Sequence, residues 1–340
     1  MQANTLKRTL FWVCAAFFVL VSCGGAVSSQ GSPQGIPTNF DQLAKSAAAA
    51  KEAGRIEEAI QEYKRALEIR TDWSEGWWYL GTMEYDADHY AEAIPAFQKL
   101  VQLSPGMAAG WDFLGLCEFE TREYGNSLEH LRKAQSLGET DDPQITRVSR
   151  YHLALLLIRG GEFENATSLL AETFGQGTIS PQVKTALGLA LLRVPLLPEE
   201  IDPSHDALLR AGGEIAANLV EGHLAKALEG FQALIANYSK IPYVRFAYSK
   251  ALAEAGKANE ALQQAQEELR LSPASALPRI EISQVQLVLN HSQGALSAAK
   301  EAVRLDPNSP VARLALGKLG KQQGKKIKPP GSLKLPRDCP

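Results

Sequence analysis

The chain has 340 residues, of which 45% are hydrophobic and 21% charged, a composition typical of a folded protein with a large core. Its 35 Lys and Arg residues and 38 Asp and Glu residues give a net charge of -3, which argues against nucleic-acid binding, since phosphates select clustered cations. The scattered cysteines predict neither a disulfide framework nor a metal site: Cys14, Cys23, Cys117 and Cys339.

Residues 1–22 are typical of a secretory signal peptide. Lys7 and Arg8 form a basic start, and the uncharged, mostly apolar residues 9–22 follow. This stretch is too short to cross a hydrocarbon core of about 30 Å comfortably, so a permanent transmembrane helix is the weaker interpretation. We therefore expect the chain to be exported.

The end of this segment, Leu20-Val21-Ser22-Cys23-Gly24, resembles the lipobox of bacterial lipoproteins. The resemblance implies that Cys23 becomes the acylated first residue. Gly24 is not the Asp that in many such lipoproteins signals retention at the inner membrane, so the resemblance implies the outer membrane. Ordinary cleavage after residues 26–28, which would discard Cys23, stays open. Residues 23–39, rich in Gly, Ser, Gln and Pro, predict a flexible tether.

A period of 34 residues follows the tether. Units that start at Ser74 and Ala108 share Trp at position 4, Leu at position 7 and Gly at position 8: Trp77, Leu80, Gly81 and Trp111, Leu114, Gly115. Positions 20, 24 and 32 of the first of these units hold Ala93, Phe97 and Pro105. Proline cannot continue a helix, so position 32 predicts the end of a second helix in each unit.

This pattern resembles the tetratricopeptide repeat, a pair of short helices. The resemblance implies an all-α fold, a right-handed α-solenoid of about seven helix pairs with a C-terminal capping helix. Small residues at positions 8 and 20 allow the two backbones of a pair to approach closely, and Ser127 replaces alanine in the third unit. The packing residues defined in this way are Ala59, Gly81, Ala93, Gly115, Ala166, Ala227, Ala261 and Ala295.

The repeat frame divides the chain into segments. Residues 40–180 contain units one to four, and residues 208–309 contain units five to seven. Between them, residues 181–207 predict an extra apolar helix and a proline-rich loop that interrupt the solenoid. The frame of the fifth unit is the least secure, because Ile215 stands where a small residue is expected.

Two segments complete the chain. Residues 310–324 predict a single helix that caps the last repeat. Residues 325–340 predict a basic, disordered, solvated tail, and a contact with anionic lipid or cell-wall polymer stays open as an alternative.

In the tetratricopeptide family, positions 2, 5, 9, 12 and 13 of the first helices face a ligand on the concave side. The resemblance therefore implies an aromatic and acidic groove for an extended or helical peptide that carries Lys or Arg. The alternative is that some rings, particularly Phe119 and Tyr151, fill contacts between units. The groove residues are Trp78, Thr82, Tyr85, Asp86, Asp112, Leu116, Phe119, Glu120, Tyr151 and Arg159, with Leu155 beside them.

The predicted function is a non-enzymatic scaffold of the bacterial cell envelope that binds a protein or peptide. Members of the family that bind chaperones clamp a terminal carboxylate with Lys and Asn at positions that hold Ala44 and Ala48 in this chain, so that function is rejected. The six histidines are dispersed and no catalytic motif is present, so we expect no enzyme activity, cofactor or metal.

The alternative function is a structural or assembly subunit of an envelope complex, or a self-assembling oligomer. We expect an outer-membrane lipoprotein that faces the periplasm, with a soluble periplasmic or secreted protein as the alternative. The identity of the partner and the oligomeric state stay open.

Overall fold

The computed structural model describes residues 38–138, 140 and 142–322. The predicted signal peptide 1–22, the acylation site Cys23, nearly all of the tether and the tail 325–340 lie outside these residues. Helix α1 begins at Thr38, so the last two residues assigned to the tether are helical. No described helix is both long enough and apolar enough to cross a membrane.

The described chain consists of sixteen α-helices and contains no strand, which confirms the predicted all-α fold. The helices are α1 Thr38–Glu52, α2 Ile56–Ile69, α3 Ser74–Asp86, α4 Tyr90–Leu103, α5 Ala108–Glu120, α6 Tyr124–Leu137, α7 Pro143–Arg159, α8 Phe163–Phe174, α9 Pro181–Leu192, α10 Asp206–Val220, α11 Leu224–Asn237, α12 Val244–Glu254, α13 Ala258–Leu271, α14 Leu277–Val288, α15 Ser292–Leu305 and α16 Pro310–Gln322. Two 3₁₀ turns, Pro198–Glu200 and Pro203–His205, lie between α9 and α10.

The described residues divide into two compact bodies, one that ends at Leu157 and one that begins at Ile158, so the boundary falls within α7. In the first body, α1 packs with α2, α3 with α4, and α5 with α6. Glycines at position 8 accept a large side chain from the second helix of the same pair. A Cβ at Gly81 would lie 2.8 Å from the Phe97 ring, and a Cβ at Gly115 would lie 2.7 Å from Leu131. Any larger residue would therefore push the paired helices apart.

The alanines at position 20 lie at the same contacts, and all of them are fully buried: Ala59, Ala93, Ala166, Ala227, Ala261 and Ala295. Ser127, which replaces alanine in the third unit, is also buried, and its hydroxyl donates a 2.6 Å hydrogen bond to the Gly115 carbonyl. This bond satisfies a polar group that would otherwise cost free energy inside the pair.

Ala93→Leu is expected to lower the free energy of unfolding by about 1 to 3 kcal/mol, because added methyl groups in a packed interior force the helices apart. Ala91→Leu is the matched control, since Ala91 lies on the same helix and is exposed. Urea denaturation of both variants measures the difference. Equal midpoints would show that position 20 does not face a closely packed helix.

In the second body, helix α9 packs closely against α10. A Cβ at Gly188 would lie 2.7 Å from the Leu209 carbonyl oxygen and 2.8 Å from the Gly213 nitrogen. Likewise, a Cβ at Gly213 would lie 2.5 Å from the Lys184 carbonyl oxygen. The helix that was predicted to interrupt the solenoid therefore forms one of the closest backbone contacts of this body.

The proline-rich segment between α9 and α10 is anchored at its start by Arg193 and inside the segment by Leu197. Arg193 adopts a left-handed conformation with φ of 55° and ends α9. Its guanidinium lies 4.7 Å from the Phe163 ring centroid and forms an ion pair with Glu164 at 2.5 Å. Further along the segment, the Leu197 side chain is fully buried. The proline-rich connection therefore packs against the second body and contains two 3₁₀ turns.

Ile215 departs from the repeat pattern, and the structure shows how it is accommodated. Ile215 lies on α10 and is buried, and the residue that faces it on α11 is Gly230. A Cβ at Gly230 would lie 2.7 Å from Ile215 Cγ1. The small residue of this contact is therefore on the second helix instead of the first.

Candidate functional site

The groove residues predicted in the first body divide into buried and accessible side chains. Asp86 and Glu120 are exposed, and Tyr151 is partly exposed. The others are buried: Trp78, Thr82, Tyr85, Asp112, Leu116, Phe119 and Leu155. The surface that these positions offer to a partner is therefore more acidic and less aromatic than the residue types alone indicate.

Aromatic rings at the predicted groove positions of α3 pack against the following unit. The Trp78 and Phe113 ring centroids are 5.4 Å apart, and those of Tyr85 and Phe113 are 5.0 Å apart, both edge to face. Phe113 also stacks on Phe97, with the ring centroids 5.3 Å apart. Edge-to-face and offset contacts of this kind stabilise a packed interior. These rings join α3, α4 and α5.

The rings of the third and fourth units follow the same arrangement. Phe119 lies edge to face with His152, with the ring centroids 4.7 Å apart, and it also contacts Tyr124. Tyr151 contacts His152 at 5.5 Å. The Phe119–His152 contact joins the third and fourth units, in agreement with the interpretation that Phe119 fills a contact between units. The Tyr151 contact is with its neighbour on the same helix, and Tyr151 keeps partial access to solvent.

The exposed acids Asp86 and Glu120 are the last residues of α3 and α5, at the same position of successive repeats. A helix C-terminus carries the negative end of the helix dipole, so a carboxylate at that end adds to an existing negative potential. Although Asp86 is exposed in part, the protein around it removes enough hydration to raise the pKa of its carboxyl to about 6, and the neighbouring Asp88 carboxylate adds to this shift. A bound cationic group would offset the repulsion between these two carboxylates.

Asp112 lies in the interior instead of on an open surface. Burial raises the pKa of its carboxyl to about 7, although a hydrogen bond from Ser149 and the nearby Arg150 guanidinium act in the opposite direction. A small cavity of about 10 Å³, lined in part by Thr146 and Leu153, adjoins it. Near neutral pH, the Asp112 carboxyl is therefore partly protonated, with both its neutral and its charged form populated.

Two buried glutamates were not singled out from the sequence, although both occupy position 11 of their units. Glu84 accepts hydrogen bonds from Lys64 at 2.6 Å and shares one with His89 at 2.9 Å. Glu118 is paired with His130 at 2.7 Å. This recurrence of glutamate at position 11 is the sequence signal from which they could have been identified. Both side chains connect helices and do not reach the exposed surface.

Arg159, the last of the predicted groove residues, belongs to the second body and is exposed. Its guanidinium forms an ion pair with Glu200 in the 3₁₀ turn Pro198–Glu200. It therefore has an intramolecular partner in the interrupting segment. Among the described residues, no group of three or more His, Cys, Asp or Glu side chains is arranged to hold a metal ion.

Comparison with known proteins agrees with the pairing of the helices. The family model described as tetratricopeptide repeat matches residues 44–108 and 80–142. No curated protein matches the chain. Among solved structures, MamA is 21% identical, with 59% of this chain and 95% of that chain covered and a TM-score of 0.40.

Two further solved structures are similar at lower identity. A tetratricopeptide repeat protein from Parabacteroides merdae is 14% identical, with 83% and 99% of the two chains covered and a TM-score of 0.36. YrrB, described as a TPR protein with an unusual peptide-binding site, is 14% identical, with 74% and 96% covered and a TM-score of 0.26. All three TM-scores are below 0.5, so these likenesses do not bear on function.

Proposed function

This chain belongs to the tetratricopeptide-repeat proteins, and from that premise we propose that it is a non-enzymatic scaffold that binds a protein or peptide partner. The binding surface is the face of the first body to which α3 and α5 contribute their exposed C-terminal acids. The match of residues 44–142 to the repeat family supports the binding role. The fold itself does not specify a ligand, so the partner is inferred from the chemistry of this face.

The observation that carries this proposal is the repetition of an exposed carboxylate, Asp86 and then Glu120, at the C-terminal ends of successive first helices. Two negative sites in equivalent repeats suit a partner segment that presents Lys or Arg at matching intervals. The buried rings beneath them, including Trp78 and Tyr85, fix the spacing of the helices that carry the acids. We therefore assign the partner as a cationic peptide segment.

Neutralisation of both acids, Asp86→Asn with Glu120→Gln, is expected to weaken the binding of cationic peptides by about tenfold, as charge complementarity is lost. An arrayed library of peptides that combine Leu or Phe with Lys or Arg supplies the probes. Fluorescence anisotropy with the selected peptides measures the change. Substitution of Trp78 or Tyr85 would be a poorer test, because both rings pack inside the first body.

The matched control is Glu57→Gln with Glu92→Gln, which removes the same charge from exposed positions on second helices. Its affinity should equal that of the unchanged chain. Affinity should also fall as the pH is lowered through about 6, because Asp86 is then protonated and loses its charge. If the acid variant and the control bind equally well, the acidic face is not the binding surface.

We also propose that the chain is exported and anchored by a lipid on Cys23 to the outer membrane, where it faces the periplasm. The basic start, the apolar stretch and the residues 20–24 support this location. Intact-mass measurement of the chain purified from cell envelopes tests it. An N-terminal Cys23 with the added mass of its lipid is the expected result, whereas a mature chain that begins after residue 28 would contradict it.

A further inference from the structure

Positions 4 and 23 of a repeat face each other across the two helices of a unit. In the third unit, the Trp111 ring at position 4 lies against the His130 ring at position 23, with the ring centroids 5.3 Å apart. In the sixth unit, the Arg245 guanidinium at position 4 donates a 2.8 Å hydrogen bond to the Gln264 side chain at position 23. A large side chain at position 4 therefore fills the space beside the paired helices.

The fifth unit has no such side chain. Its position 4 is Ala211, on α10, and its position 23 is Gly230, on α11. Because both facing residues are small, a cleft of about 220 Å³ lies between these two helices, and both residues line it. Every other complete unit has a larger residue at position 4: Leu43, Trp77, Trp111, Arg150, Arg245 and Arg279.

The interior of this cleft is apolar. Its floor is formed by the buried side chains of Ile215 and Leu234. An apolar cavity of about 150 Å³ is large enough to hold benzene. A cleft of about 220 Å³ therefore has room for the two fused rings of an indole. This is the group that Trp77 and Trp111 supply at position 4 of their own units.

Polar groups line the rim of the cleft. The Asn218 and Asn237 amide nitrogens donate to backbone carbonyls of their own helices, at 2.8 and 3.0 Å, which leaves their side-chain oxygens as acceptors. An indole N–H in an apolar site needs such an acceptor. The Glu214 carboxylate is neutralised by Lys184 at 2.8 Å, whereas Lys226 is exposed and forms no ion pair with a described residue. The uncompensated charge at the rim is therefore positive.

We propose that this cleft binds the tryptophan side chain of a partner peptide that carries Asp or Glu beside it. The indole lies over Ile215 and Leu234, its N–H donates to an asparagine oxygen, and the acidic neighbour pairs with Lys226. Aromatic side chains that fill a pocket carry much of the energy of protein interfaces. The site belongs to the second body and does not depend on the acidic face of the first body, whose proposed ligand is cationic.

The probe is a synthetic peptide, Gly-Asp-Trp-Asp-Gly, whose tryptophan carries a fluorine atom, so that fluorine NMR reports its binding to the full chain. Ala211→Trp places an indole in the cleft and should weaken binding by about tenfold or more. Ala233→Leu, at an exposed residue that lines the cleft from α11, should weaken it by a smaller factor. Lys226→Gln should weaken it by up to about fivefold, as expected for an exposed ion pair.

The matched control is Ala225→Trp, which adds the same ring at an exposed residue of α11 outside the cleft lining. It should bind the peptide as the unchanged chain does, and so should Asp86→Asn with Glu120→Gln. Circular dichroism verifies that each variant is folded. Equal binding by Ala211→Trp and Ala225→Trp would overturn the proposal. So would a dimer, detected by sedimentation, that Ala211→Trp dissociates while the peptide does not bind.

Discussion

Gly188→Ala is expected to lower the free energy of unfolding of the second body by about 3 kcal/mol or more, above the usual range for an overpacked interior. The added methyl group would lie 2.7 Å from the Leu209 carbonyl oxygen and 2.8 Å from the Gly213 nitrogen. Both are backbone atoms, so no side-chain rotation relieves the contact. Helices α9 and α10 would have to separate along their length.

Urea denaturation followed by circular dichroism measures this change. Gly317→Ala is the control, since that glycine is also helical, but its added Cβ meets nothing within 4 Å. The control should be unchanged or more stable by up to about 1 kcal/mol, as alanine is the better helix former. If the Gly188→Ala protein were as stable as its control, α9 and α10 would have to lie further apart than the structure shows.

Asp112→Asn is expected to stabilise the first body by about 4 kcal/mol at about pH 8 and to leave its stability nearly unchanged at about pH 4. The pKa of Asp112 is raised to about 7 in the folded protein, mainly by burial. Between the ordinary pKa and this value, the folded chain binds more protons than the unfolded chain. The contribution of Asp112 to stability therefore falls as the pH rises through this interval and is constant above it.

Denaturant midpoints determined across this pH range measure the effect. The wild-type chain should lose stability toward alkaline pH, and Asp112→Asn should lose less. Asp41→Asn, a change at an exposed residue of α1, should keep the wild-type dependence. Parallel curves for wild-type and Asp112→Asn would mean that Asp112 is charged in the folded state over the whole range.

Much of the fold could be predicted because tetratricopeptide units repeat a local pattern. The spacing of Gly81, Ala93 and Pro105 indicates two helices and their closest contact without knowledge of distant residues. The contact between α10 and α11 was harder to predict from the sequence. There Gly230 compensates for Ile215, and a motif that places the small residue on the first helix does not anticipate the reverse arrangement.

The residues of the candidate groove could be named from the sequence, but the exposure of their side chains could not. The resemblance to the tetratricopeptide family placed Trp78, Tyr85 and Asp86 toward the groove side of α3, but it could not show how closely the next unit approaches. Phe113 of that unit covers the two rings, while Asp86, at the end of the helix, stays accessible. How much of a side chain is exposed depends on its neighbours in space, which a periodic pattern does not contain.

The sequence in which the helices contact one another has a consequence for how the protein folds. Within each body, the extensive contacts join helices that follow one another along the chain. Closing such short loops costs little entropy, and proteins with mostly local contacts fold quickly. Each pair could thus become native as soon as its own residues are available, so synthesis or delivery from the N-terminus can proceed alongside folding.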